Sequence, residues 1–480
     1  MTYAAPRMTG APGRRIVETR PLRHPDAADP AFMGRRGWWL IAMNVLVPGS
    51  AQTLAGGNRR LGRLGLTATL IGWLLVIATA GLALFARSLL ITLATNWFVL
   101  TIVQVLLIAY AVLWIVLTFD ALRLVRLVKT PTASRFAIPV VAIVILSLLS
   151  GGAGYAAMVA GTSRGVLGDV FGSSGPSVAP SDGYYNILLL GADSGDGRDS
   201  MRFDSISVVS VNADTGAVTI FGIPRELPNP PFSDGSPMQE LYPNGFEGHG
   251  DSTCGWNAWM NHIRNAAEIC RDDAGTGLYP DAAAQGSAPG IEATKDAAEG
   301  VLGIEIPYYI FVDMNGFAAL IDALGGVDIN VTERLPEGGG PAWEGQPAED
   351  WATGWIEVGQ QHMDGDTAQW YARSRYTTSD WDRMERQREL QIAILDQFTP
   401  QNILTRFNEI AAAGTVLIDT DLPRDKLSEF FDLMLLAKEQ EVTTIELVPE
   451  NGVDEHAPDY AFVHELVQNA LHPVTPTPTP

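Results

Sequence analysis

The residues of this chain that could do chemistry fall in three short stretches, and in each an arginine stands close to a carboxylate. The first, NILLLGADSGDGRDSMRFDSI, leads from an apolar run into a Gly-rich turn holding Asp193, then to Arg202 and Asp204. The second is IPRE, which places Arg225 and Glu226 directly after the apolar run Val218–Ile223. The third, ARSRYTTSDWDRMERQ, carries Arg373, Arg375, Asp380, Arg383, Arg386 and Gln387. Guanidinium forks match phosphate oxygens two at a time. A carboxylate pair suits Mg2+, which takes few carboxylates and fills its shell with water and substrate phosphates. Asp193 and Asp204 are therefore candidate Mg2+ ligands, and the arginines are candidate phosphate ligands. Each stretch alone has a plainer reading, as an Asp/Gly turn, a surface ion pair or a solvated charged helix. Their combination in an acidic region is what favours phosphate.

Other chemistries are excluded by what the sequence lacks. There is no G-x-S-x-G, H-E-x-x-H, Walker-A loop or C-x-x-C pair. A calcium loop from Asp193 to Asp204 fails at its third and fifth positions, Gly195 and Gly197, and at its sixth, Arg198, where glycine is required.

The elements that must position these residues read as α/β. Asn186–Leu190, Ile206–Val211, Val218–Ile223, Tyr308–Val312 and Val327–Val331 are short apolar runs rich in β-formers. Thr294–Leu302, Asn315–Leu324 and Trp381–Phe398 carry helical spacing between them. Such an alternation predicts a sheet covered by helices on both faces. If Val218–Ile223 runs parallel to Asn186–Leu190, Asp193 and Arg225 emerge at one edge. On a helix, Arg383, Arg386 and Gln387 share a face.

Charge divides the chain. Residues 1–135 carry 15 Lys+Arg against 4 Asp+Glu, and residues 136–480 carry 17 against 50. An acidic C-terminal part excludes nucleic acid as a partner, because phosphate backbones need a basic face. Three uncharged apolar stretches, about 64–86, 97–119 and 136–160, each exceed the roughly 20 residues of a membrane-spanning helix. Arg14, Arg15, Arg20, Arg23, Arg35 and Arg36 precede the first, and Arg123, Arg126, Lys129 and Arg135 lie between the second and third. The positive-inside rule puts both groups in the cytoplasm and everything after Ala160 outside. Gly37–Gly56 has basic clusters at both ends and reads as a hairpin or interfacial segment broken at Pro48-Gly49. The expected organisation is a basic cytoplasmic N-terminus 1–63 with a re-entrant segment 37–56, a membrane domain 64–160, a flexible Gly/Ser/Pro linker 161–182, an extracellular domain 183–472 and a Pro/Thr tail 473–480. An extracellular setting permits a disulfide between Cys254 and Cys270, structural in role.

With these residues in place the sequence resembles the LytR-CpsA-Psr family of cell-wall glycopolymer ligases. The resemblance is carried by NILLLGADS, RFDSI, IPRE, YYIFVDMNGF, LIDALGGVDINV and ARSR followed by D-x-x-R-x-x-R-Q, over roughly residues 184–470. The several N-terminal spans are similar to actinobacterial members. The resemblance implies a central mixed β-sheet flanked by helices, preceded here by three transmembrane helices, with a polyprenyl chain in an apolar tunnel. It implies Mg2+ on Asp193 and Asp204. Arg202, Arg225, Arg373, Arg375 and Arg383 would grip a pyrophosphate, supported by Asp380 and Gln387, with Arg386 and Gln387 also among the substrate-binding residues. The implied reaction moves a phospho-glycan from a polyprenyl-pyrophosphate carrier to a peptidoglycan hydroxyl, at the cell membrane. The alternatives are a lipid pyrophosphatase and a non-enzymatic lipid-binding regulator. No general base is obvious, with Asp380 and Glu226 as the candidates. Two departures stand out: Glu226 replaces the Asp that often follows the I-P-R arginine, and the family's Lys-x-Asn-Ala is only Trp259-Met260-Asn261 here. A long insertion, Leu227 to Gly290, surrounds the latter and carries both cysteines.

Overall fold

The computed structural model describes residues 22–169, 175, 177–192, 202–338, 340–343, 345–397 and 418–473, with positions 399, 402, 406, 409, 410 and 413. Asp193, Arg14, Arg15, Arg20 and the Pro/Thr tail from 474 onward lie outside the described residues. The chain divides into two compact units, Met1–Leu90 with Phe98–Gly161 and Ile91–Trp97 with Thr162–Pro480.

The first unit is helical: α1 (Pro30–Leu46), α2 (Ser50–Ala55), α3 (Arg59–Phe85), α4 (Arg87–Thr95), α5 (Trp97–Val125) and α6 (Thr132–Asp169). Helices α3, α5 and α6 are long and apolar enough to cross a membrane. Their outward apolar side chains, such as Leu70, Trp73, Ile102, Val105, Val140 and Leu148, are exposed and match a lipid surround. This is a multi-pass membrane protein with its soluble C-terminal unit outside. The segment read as a broken hairpin is α1 and α2, which meet at Gly49. There φ is 95°, and an added Cβ would lie 2.4 Å from the Gly62 carbonyl oxygen. Only glycine permits both the left-handed turn and that approach. Leu40, Ile41, Ala51 and Ala55 pack on Ala121, Val125, Ile138 and Ala142. Arg36 is buried there and donates to the Leu22 and Leu124 carbonyls, the latter at the C-terminal end of α5 where a cation is favoured. Helix α6 continues through Gly161 to Asp169, so the first part of the stretch read as a linker is helical.

The soluble unit is built on a six-stranded mixed sheet of order β10-β3-β2-β1-β4-β9. Its strands are β1 (Tyr184–Ala192), β2 (Phe203–Asn212), β3 (Val218–Gly222), β4 (Tyr308–Asp313), β9 (Ile418–Thr420) and β10 (Thr443–Glu446). Strand β2 is antiparallel to both β1 and β3, whereas β4 is parallel to β1 and β10 to β3. The helices of this unit include α7 (Pro237–Leu241), α8 (Pro289–Leu302), α9 (Met314–Leu324), α10 (Gly365–Arg373), α11 (Asp380–Gln397), α12 (Leu427–Ala437) and α13 (Tyr460–Leu471). Side chains alternate across β1, as the pleat requires. Leu188 and Leu190 meet Ala297 and Val301 of α8 with Val463 and Val467 of α13 on one face. Tyr185 and Ile187 meet Leu433 of α12 on the other.

The fifth apolar run, Val327–Val331, is strand β5, but it lies outside the central sheet. Among the described residues it pairs only with β8 (Gly359–Met363), while β6 (Leu335–Glu337) pairs with β7 (Gly354–Ile356). With α9, α10 and α11 these short strands enclose a second core around Ile321, Ile329, Tyr371 and Leu390. This second core fixes the helix pair that carries the third arginine group.

Candidate functional site

Because β2 runs opposite to β1 and β3, its first residues share one sheet edge with the last residues of those two strands. Arg202 and Asp204 enter β2 there, and Arg225 leaves β3 two residues beyond Ile223. Arg225 is mostly buried and lies among three carboxylates. Its Nη1 donates to Asp204 Oδ1 at 2.6 Å, while Nη2 is 3.2 Å from Glu226 Oε1 and 3.7 Å from Asp380 Oδ1.

Asp380 arrives as the first residue of α11. The preceding Ser379 and Asp382 hold the helix start: the Ser379 amide and hydroxyl both donate to Asp382 Oδ2, and the Asp382 amide donates to Ser379 Oγ. A carboxylate in the first turn also complements the helix dipole. Asp380 Oδ2 accepts from Arg383 Nη2 at 3.0 Å, and its Oδ1 lies 3.6 Å from Arg375 Nη1. Asp204, Arg225, Arg375, Asp380 and Arg383, far apart in sequence, therefore form one cluster.

Arg386 and Gln387 sit a turn further along α11 and do different work. Arg386 donates to the Tyr371 carbonyl at 3.1 Å, to the Ser374 carbonyl and to Thr378 Oγ1 at 3.2 Å. Gln387 donates to the Ala372 carbonyl at 3.3 Å. Both side chains brace the turn that holds Arg373 and Arg375. The Arg373 guanidinium lies over the Trp370 ring, 5.3 Å from its centre.

The cluster is short of partners in a specific way. Among the described residues, Arg225 Nε, Arg383 Nε, Asp380 Oδ1 and Gln387 Oε1 are buried without a hydrogen bond. A buried polar atom left so costs about 1–3 kcal/mol, so several in one place mark a surface arranged for something other than folding. Burial first, and the Arg225 charge second, hold the Arg383 guanidinium below its ordinary pKa.

The insertion supplies one residue that sequence reasoning missed. The Asn261 amide donates to the Arg225 carbonyl at 2.8 Å and the Met260 amide to the Leu227 carbonyl at 3.1 Å, laying this segment along the chain after β3. His262 follows, with Nε2 3.0 Å from Arg202 Nη1. The only signal in the sequence was its place beside the weakened Trp259-Met260-Asn261 motif. The insertion is closed by a Cys254–Cys270 disulfide, Cα atoms 5.7 Å apart. Among the described residues no group of three or more His, Cys, Asp or Glu is gathered to hold a metal.

Comparison with known proteins bears on the same segments. The model of the LytR_cpsA_psr family matches residues 255–472, which hold His262 and every site residue of the third group. Arg202, Asp204 and Arg225 precede that match. The chain is 28% identical over 264 residues to a polyisoprenyl-teichoic acid–peptidoglycan teichoic acid transferase TagU of Oceanobacillus iheyensis, covering 55% of this chain and 66% of that protein. It is 26% identical over 247 residues to TagU of Halalkalibacterium halodurans, covering 51% and 63% respectively. Less than two thirds of the length of either relative is thus matched. The crystal structure of Bacillus subtilis TagV superposes with a TM-score of 0.39 at 20% identity, covering 60% of this chain and 97% of that one. The LytR_cpsA_psr family model thus matches this chain through residues 255–472, a little under half of its length.

Proposed function

We propose that the soluble unit transfers a phospho-glycan from a polyprenyl-pyrophosphate carrier to a peptidoglycan hydroxyl, releasing polyprenyl phosphate. The observation that carries this reading is the arginine cluster, with Arg225, Arg375 and Arg383 converging on Asp380 beside buried donors that lack partners. Phosphoryl transfer needs positioning and neutralisation of spread negative charge more than it needs a covalent nucleophile. In the transfer, the acceptor oxygen forms a bond to the glycan-bearing phosphorus as the bridging P–O bond breaks. The electron pair leaves with polyprenyl phosphate. The hydroxyl proton passes to Asp380 or Glu226, both within ion-pair distance of Arg225. Arg225 and Arg383 hold the phosphate oxygens, and Arg375, half exposed, is placed to follow charge onto the leaving phosphate.

Magnesium fits this chemistry through Asp204 together with Asp193. Asp204 commits one oxygen to Arg225, and its second has no hydrogen-bond or ion-pair partner among the described residues. A cation held mainly by phosphates and water needs no larger protein cage, and when bound it would neutralise charge on the pyrophosphate. The names of the TagU relatives support the choice of carrier and acceptor.

The test uses the full chain in detergent or nanodiscs with a polyprenyl-pyrophosphate-linked glycan, peptidoglycan fragments and Mg2+. Glycan on peptidoglycan, lost in Arg225→Ala, is the expected result. Free phospho-glycan without transfer would make the protein a pyrophosphatase, and lipid binding without turnover would make it a regulator.

A further inference from the structure

His262 is set with unusual firmness for a residue in an insertion. It closes a single helical turn, Met260–His262, whose amides are tied to the Arg225 and Leu227 carbonyls. The ring is buried, packs edge-on to Trp259 at 5.6 Å, and takes the Asn257 backbone N–H onto Nδ1 at 2.8 Å. Burial first, and the charge of Arg202 second, hold the imidazole below its ordinary pKa, so near pH 7 it is neutral and carries a single N–H.

The Asn257 amide fixes where that hydrogen sits. With Nδ1 accepting from a backbone donor, the proton must be on Nε2. Yet Nε2 faces Arg202 Nη1 at 3.0 Å, and a guanidinium has only hydrogens to offer. Moving the proton to Nδ1 sets it against the Asn257 N–H, which the backbone holds in place. Flipping the ring turns carbon toward both donors. No tautomer or flip satisfies both sides, and the two donors need one acceptor common to both. Arg202 is exposed and has no carboxylate within ion-pair distance among the described residues, so its charge is available to an anion.

We propose that His262 is an anion-binding residue of this site, donating its Nε2 hydrogen to a phosphate oxygen that it shares with Arg202. The proposal rests on the phosphate-site reading above. It names a neutral donor supplied by the insertion. A phosphate oxygen has lone pairs for both partners and turns a donor–donor contact into two charge-assisted hydrogen bonds. In this role the histidine is a donor and not a base, because its acceptor nitrogen is already occupied by Asn257.

Two substitutions separate the ring nitrogens. His262→Asn keeps an acceptor near Nδ1 for Asn257 and loses the donor at Nε2. His262→Gln keeps a donor near Nε2. The measurement is calorimetric titration of the full-length protein in detergent with inorganic pyrophosphate, alongside a thermal melt. His262→Asn is expected to leave the melt unchanged and weaken pyrophosphate at least about tenfold, with His262→Gln within about threefold of the parent. If both variants bind like the parent while Arg375→Ala loses binding, His262 is structural and the phosphate site stands without it. If both lose binding equally, the Nε2 donor is not the operative feature, and the proposal fails. Should the parent not bind pyrophosphate, or Arg375→Ala bind it unchanged, the phosphate-site reading falls and this inference with it.

Discussion

The soluble unit holds two clusters of paired charges that differ in how completely they satisfy themselves. In one, the Lys295 ammonium on α8 meets Asp421 at 2.8 Å, Glu292 at 2.9 Å and the Pro307 carbonyl at 3.4 Å. The other oxygen of Asp421 accepts the Tyr309 amide at 2.7 Å, tying α8 to β4 and to the chain leaving β9. In the other cluster, Arg225 pairs with Asp204 and Glu226 and shares Asp380 with Arg383, yet each arginine leaves its Nε without a hydrogen bond among the described residues. Both clusters take ions out of water at a cost. The first recovers more of it within the fold, where Glu292 Oε1, 2.9 Å from Lys295 Nζ, is its one atom buried without a hydrogen bond among the described residues. A closed cluster joins elements, and an open one has donors left for a ligand.

That contrast makes opposite demands on mutation. Lys295→Met leaves the Asp421 carboxylate buried and uncompensated, and breaking such a pair costs about 3–5 kcal/mol. The largest drop in denaturant or thermal stability is therefore expected here, with pyrophosphate binding retained by the molecules still folded. Adding Asp421→Leu should return part of the loss, because an apolar pair of similar volume often substitutes well for a buried ion pair. If Lys295→Met melted like the parent, the closed cluster would not be what joins α8 to the sheet.

Arg225→Ala should show the reverse pattern. Removing a preorganised donor to developing charge costs about 100- to 1,000-fold in rate. The melt is expected to shift less than for Lys295→Met, because the released Asp204 and Glu226 are partly exposed and can be solvated. Product counting against the melt distinguishes the two. Equal loss of stability in both variants would erase the distinction between the clusters.

Much of this arrangement was legible in the sequence, and its limits have physical causes. Four of the five apolar runs are strands of the central sheet, because continuous apolarity marks strands buried on both faces. The fifth, Val-Asp-Ile-Asn-Val, alternates, and its Asp328 and Asn330 are exposed in a separate two-stranded sheet. Strict alternation signals one wet face, a clue the residues did offer. The 3.6-residue period rightly grouped Arg383, Arg386 and Gln387 on one face of α11. It could not say that this face looks onto the sheet edge at Arg383 and under the α10–α11 turn one helical turn later, at Arg386 and Gln387. Spacing gives direction from the helix axis, and what lies above comes from the tertiary fold. His262 was invisible for the same reason, since its partners Arg202 and Asn257 converge only when the insertion is laid along Arg225.

The disulfide extends the comparison to the insertion. Cys254 and Cys270 enclose Asn257 and His262. Opening a loop of 16 residues costs about 3 kcal/mol on the chain-entropy model. Reduction, or Cys254→Ser with Cys270→Ser, should weaken pyrophosphate along with stability, because the backbone donor that sets the His262 proton is loosened. The Lys295 cluster lies outside this loop. Hydrogen exchange at Tyr309, whose amide Asp421 holds, should therefore stay slow at temperatures where the amides between 254 and 270 exchange freely. Uniform loss of protection would show that the insertion and the sheet open as one unit.

The smallest effect belongs to a third, wetter cluster, and it gives the comparison its lower bound. Glu429 on α12 accepts from Lys426 at 2.7 Å and from the Tyr185 hydroxyl at 2.5 Å. Burial pushes its carboxyl up, but these hydrogen bonds outweigh burial and leave it below its ordinary value of 4.5. A carboxylate depressed in the folded state contributes stability above its unfolded pKa and loses it as pH falls through the folded value. Glu429→Gln should therefore melt below the parent at pH 7, and the gap should close as pH falls well under 4.5. The Glu429 side chain is 42% exposed, so the gap should be under about 1 kcal/mol and shrink in high salt. A gap that persisted unchanged at pH 3 would mean the side chain acts through packing. The exposed pair would then differ from the Lys295 cluster in kind, and degree of burial would no longer explain why one holds the fold and the other only decorates it.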